Sequence, residues 1–65
     1  MKNLFDILNK DGKGTFHWIE SVNDIDAAEA RVQELCKKSA DDFVVFRERD
    51  LRVVATYTDR TYTRL

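Results

Sequence analysis

A chain of 65 residues has room for one domain with a thin core, because a chain of this size hides only about 60% of the surface its unfolded form exposes. Eleven basic and twelve acidic side chains leave a net charge of −1, without the basic excess of a nucleic-acid binder, and no deep substrate cleft fits beside so small a core. With 43% hydrophobic residues the chain is too apolar to be disordered throughout, and its single cysteine, Cys36, excludes an internal disulfide framework.

Met1–Lys10 lacks the apolar core of a signal peptide, and no stretch approaches the ~20 apolar residues of a membrane span. A cytoplasmic location is expected. Leu4–Asn9 and Thr15–Val22 read as strands around Asp11-Gly12, a strong hairpin signal between two apolar runs.

Ile25–Lys38 reads as a helix. Asp24 suits the N-cap because its carboxylate can accept from free N–H groups of the first turn. Asp26 and Glu29 lie toward the positive end of the dipole and Lys37 and Lys38 toward the negative end. Ile25, Ala28, Val32, Leu35 and Cys36 share one stripe, and Glu34 stands four residues before Lys38 in the favourable ion-pair order.

Phe43–Phe46 and Leu51–Thr58 then supply two more strands about a polar turn, Arg47–Asp50. The sequence thus predicts a single α+β domain over residues 1–65: a four-stranded antiparallel sheet, β-β-α-β-β, with one helix packed on one face. Pairing strand 3 beside strand 1 gives the order 2-1-3-4. The tail from about residue 57, with its Thr-Tyr-Thr triplets around Asp59-Arg60, is expected to prolong strand 4, to fray, or to fold across the sheet.

Trp18, Asp24-Ile25, Ala28, Arg31, Leu35 and the run Asp42-Phe43-Val44-Val45-Phe46 resemble a ββαββ pattern in small uncharacterised bacterial proteins. The similarity spans about residues 14–55, with Ala40 and Asp41 where several such proteins carry proline and glycine. It implies the fold and no activity.

The sharpest candidate chemistry lies in Asn9–Glu20, which resembles a twelve-residue EF-hand loop. Asn9, Asp11, Thr15 and Glu20 would be the calcium ligands and Gly14 the central glycine. Lys13 opposes it by putting an ammonium where a ligand oxygen belongs, and Asp24 starts the helix only four residues after Glu20. A β-hairpin is the simpler account.

Cys36 and His17 are the one possible nucleophile–base pair, but Cys36 sits on the buried stripe near the helix C-terminus, where the dipole raises a thiol pKa. Asp41-Asp42 and Asp24/Asp26 read as loop and cap. Gly12 and Gly14 do not open a helix as a phosphate loop does, and Ser21 and Ser39 lack a nucleophile's surroundings. Arg47, Arg49 and Arg52, interrupted by Glu48 and Asp50, read as a solvated turn. No cofactor and no enzymatic activity are expected.

Alternation along the strands is imperfect. By strict period-two counting, Phe16, Trp18 and Val22 oppose Ile19, Phe43 and Val45 oppose Val44 and Phe46, and Leu51 and Val53 oppose Val54. Apolar side chains on both faces predict that the face away from the helix meets a protein partner or a second copy, unless residues 57–65 cover it. An aromatic platform for nucleic acid, using Phe16, Trp18, Phe43 and Phe46, is the remoter alternative.

Overall fold

The computed structural model describes residues 4–65, in the order β1 (Phe5–Lys10), β2 (Phe16–Val22), α1 (Ile25–Leu35), β3 (Asp42–Arg47), β4 (Arg52–Thr58) and β5 (Thr61–Arg64). The expectation about a leader in Met1–Lys10 falls in part on residues 1–3, which lie outside the described residues. The fold is α+β, with one helix and an open antiparallel sheet. The sheet has five strands in the order β2-β1-β3-β4-β5, which corrects the expected four-stranded sheet of order 2-1-3-4.

The added strand comes from the tail, which neither frays nor folds over the sheet. Asp59 and Arg60 both take positive φ, 52° and 63°, the backbone of a tight two-residue hairpin turn. Thr61 then returns opposite Thr58, Tyr62 opposite Tyr57 and Thr63 opposite Thr56. Tyr62 packs against the core. Arg64 reaches the first turns of the helix, bonding Asp26 at 2.5 Å and Glu29 at 3.1 Å. A strand that buries a ring and carries such a clasp is tied down.

The first hairpin forms where Asp11-Gly12 places it, but with a different turn. The Asp11 N–H donates to the Thr15 carbonyl at 2.9 Å and the Gly14 N–H to the Asp11 carbonyl at 3.0 Å. Gly14 has φ 84°, so the loop is the three-residue kind closed by a glycine in the left-handed region. In the second hairpin Leu51 belongs to the turn rather than to β4: its φ is 55° and its side chain is exposed.

Helix α1 begins as its cap requires, with Asp24 accepting from the Ala27 N–H at 2.7 Å. It ends at Leu35, three residues before the expected Lys38. Beyond it the Lys37 N–H bonds the Glu34 carbonyl and the Lys38 N–H bonds the Leu35 carbonyl, an i to i+3 tightening that satisfies the last carbonyls. Lys37 and Lys38 therefore lie past the helix, and Glu34 pairs with Arg31 at 3.1 Å instead of with Lys38.

The core lies between helix and sheet: Ile7, Ala28, Val32, Phe43, Val45 and Ala55 are almost wholly buried. Two bulges settle the ambiguous alternation. The β1–β2 register shifts so that Ile7 pairs with Glu20 while Leu8 pairs with Trp18, leaving Ile19 as the extra residue. In β3–β4, Val45 pairs with Ala55 and Phe46 with Val53, leaving Val54 extra. A bulge sets two successive residues against one partner, and Ile19 and Val54 accordingly pack against the core with Val22. Phe16 and Trp18 are left on the opposite side, so the expected grouping of Val22 with them is corrected.

Candidate functional site

Four cross-strand pairs define the face turned away from the helix. Leu8 faces Trp18 and Val44, Val44 faces Thr56, and Thr56 faces Thr63. These five residues make a continuous row across all five strands. On one side of it lie Ser21, Asp6, Phe46 and Val53; on the other lie Phe16, Lys10 and Asp42. Among the described residues no helix or loop crosses this face, since the single helix packs on the other and the tail has become β5. Trp18 is 62% and Phe16 49% exposed, while Leu8, Val44, Phe46 and Val53 are half-buried by one another.

Polar groups rim the row unevenly. At one end Asp6 accepts from the Ser21 hydroxyl at 2.6 Å and from the Trp18 indole N–H at 3.4 Å. The Glu48 carboxylate lies 3.3 Å from the same hydroxyl, and the Glu48 N–H bonds the Leu4 carbonyl at 2.9 Å, which fixes the turn against β1. Partial burial pushes the Asp6 carboxyl up, but hydrogen bonds from Ser21, Glu48 and Trp18 together hold it below its ordinary range. Glu48 is raised, first by its hydrogen bond with Asp6 and then by burial and by repulsion from that carboxylate. At the other end of β1 the Lys10 ammonium sits 5.9 Å from the centre of the Phe16 ring, a cation–π arrangement, with Asp42 opposite on β3.

The proposed calcium ligands are held apart. Asn9 donates to Asp41 at 2.7 Å. Asp11 caps its own turn, accepting from the Lys13 and Thr15 N–H groups and pairing with His17 at 2.8 Å. Glu20, on the helix side, bonds Arg31. Thr15 closes the hairpin through its backbone. Strands flank this loop where an EF-hand has helices, and among the described residues no three His, Cys, Asp or Glu side chains gather.

Cys36 and His17 are also separated. Cys36 donates to the Gln33 carbonyl at 3.1 Å and shares a hydrogen bond with Tyr57, which raises the Tyr57 phenol ahead of burial. Tyr57 pairs with Phe43, Phe43 with Asn9 and Asn9 with His17, so three strand spacings, about 14 Å, lie between Tyr57 and His17. A cleft of about 610 Å³ opens beside Cys36 and Tyr57, lined also by Asp41, Asp42, Asp59 and Arg60. Its lining mixes charges of both signs and lacks the apolar walls of a small-molecule pocket.

The aromatic platform divides between the faces. Phe43 is 1% exposed on the helix side, edge-on to Tyr57 with ring centres 6.1 Å apart, and cannot stack on a base. Phe16, Trp18 and Phe46 share the open face with Asp6, Asp42 and Glu48, whose charge repels phosphate. Strict alternation missed the contiguity of this face, because the two bulges that sort Ile19 and Val54 away from it carry no glycine or proline to announce them. No protein-family model matches the chain, and neither does any curated protein or solved structure.

Proposed function

We propose that this chain is a non-enzymatic protein-interaction module, with the open sheet face as its docking surface. One observation supports this reading most: an apolar stretch of Trp18, Leu8, Val44, Phe46 and Val53, spread over β2, β1, β3 and β4, lies uncovered by any described element and ends on a tryptophan that is 62% exposed. Contiguous apolar surface of this kind marks partner sites more often than it marks free surface. The polar groups at its margin suit a rim around an apolar centre, the usual anatomy of a protein interface. A protein partner fits this rim better than a nucleic acid does, because three carboxylates and one ammonium border the row.

The test compares three baits. The wild-type chain and a Leu8→Lys/Val44→Lys variant are immobilised, and bound protein is quantified from the native host. Face-dependent docking retains protein on the first bait and loses it on the second. A Gln33→Ala bait, altered on the exposed back of the helix, serves as control and behaves as wild type. Equal retention on all three baits refutes the reading, provided circular dichroism shows each of them folded.

A further inference from the structure

We infer that the occupant of the open face is a second copy of this chain, stacked face to face about a two-fold axis running across the strands. This assignment rests on the interaction reading above and specifies its partner. A symmetric dimer uses the same patch twice, so the patch has to complement itself. An axis laid along the Trp18–Leu8–Val44 row brings each of these side chains against its own symmetry mate and reverses the strand direction between the copies.

That reversal makes the β1 charges complementary, while Asp42 comes opposite Phe46 of the second copy. Along β1 the open-face residues run Asp6, Leu8, Lys10: a carboxylate, an apolar centre and an ammonium. Turning one copy over about Leu8 sets Asp6 opposite the partner's Lys10, and the symmetry repeats the pair. Both groups are suited to it. Asp6 is held in its charged form by its hydrogen bonds, and Lys10 has no carboxylate within ion-pair distance among the described residues, lying over Phe16 instead. The alternative axis, parallel to the strands, brings the two Asp6–Glu48 ends together and is opposed by like charge.

The size of the face agrees with a modest dimer. Five strands about 4.8 Å apart and some six residues long give a face of roughly 20 by 20 Å. Two such corrugated faces bury about 1,000–1,200 Å² in total, the lower edge of specific interfaces. Self-association in the micromolar range is the expected strength. Rim ion pairs fix orientation more than affinity, so charge reversal tests the arrangement itself.

Sedimentation equilibrium across about 1 μM to 1 mM reads the outcome on four samples. Wild type is expected to dimerise. Asp6→Lys alone and Lys10→Asp alone each turn both ion pairs repulsive and weaken self-association by about tenfold or more. Mixing these two variants pairs Lys with Asp at both contacts and restores a dimer, now heteromeric, which mere damage to either variant could not do. A wild type that stays monomeric throughout overturns the proposal, as does a dimer indifferent to the reversals or a mixture that fails to recover. If the wild type is monomeric yet the wild-type bait still captures protein that the Leu8→Lys/Val44→Lys bait loses, only the second-copy assignment falls. If both effects are absent, the interaction reading falls with it.

Discussion

The two faces of this sheet are built from almost the same side-chain types and do opposite things. On the helix side Ile7, Phe43, Val45 and Ala55 are buried with Ala28 and Val32; on the other side Leu8, Val44, Phe46 and Val53 stay half-buried. Hydrophobicity alone does not make a core. A sheet face becomes interior when an element lies across it, and a single eleven-residue helix can lie across only one. The open face is thus apolar by composition and a surface by topology.

Substitutions on the two faces should separate this contrast, beginning with the largest effect. Phe43→Ala removes a ring from the sealed side and is expected to cost about 3–5 kcal/mol, a large part of the ~5–15 kcal/mol typical of a whole domain. Urea denaturation should show a greatly lowered midpoint or no cooperative transition. Trp18→Ala removes a larger ring from the open side and should cost under about 1 kcal/mol while abolishing face-dependent association. Comparable destabilisation by both would erase the distinction between core and docking face.

Smaller gains are expected at the turns. Leu51 and Arg60 hold positive φ with exposed side chains, a conformation that disfavours residues bearing a Cβ. Leu51→Gly and Arg60→Gly should each raise stability by about 0.5–1 kcal/mol, after the entropy that glycine adds to the unfolded chain. Thermal melts of the single and double variants measure it, and a lowered melting temperature would count against the left-handed assignment. The double variant should still associate, since neither residue belongs to the apolar row.

The smallest effect is electrostatic. Arg47 grips Asp50 through two bonds, of 3.0 and 2.6 Å, and this hydrogen bonding, ahead of the opposing effect of burial, lowers the Asp50 carboxyl to about 2. Its folded value lies below its unfolded one, so the pair's stabilisation is complete above the unfolded value near 3.8 and is lost as pH falls toward about 2. In Arg47→Ala the Asp50 carboxyl, followed by NMR, should titrate nearer 3.8; an unchanged titration would show that the bidentate pair does not form in solution.

Several features were legible because each rests on local chemistry. The helix start needed only Asp24, the buried stripe only the spacing of Ala28 and Val32, and the first hairpin only Asp11-Gly12. The fifth strand escaped notice because its turn uses Asp59-Arg60, where glycine or asparagine usually signals left-handed backbone. The clasp that holds it, Arg64 on Asp26 and Glu29, joins residues too distant in sequence for any local rule. The open face was anticipated as a second apolar surface, yet its membership was not, because the extra residues Ile19 and Val54 each invert the count for the rest of a strand. The calcium-loop likeness meets a related difficulty: four residues at ligand spacing point together only on the right backbone, and the hairpin gives Glu20 and Asp11 different partners.

The strand order also bears on how the chain reaches this state. Three of the four strand seams join sequence neighbours through tight turns and can close within microseconds. The β1–β3 seam alone joins residues no nearer in sequence than Lys10 and Asp42, so it carries the largest single share of the loop-closure entropy. Closure of this non-local seam is the step expected to limit the folding rate. Until it closes, the hairpins are separate ribbons and neither the sealed face nor the open one exists.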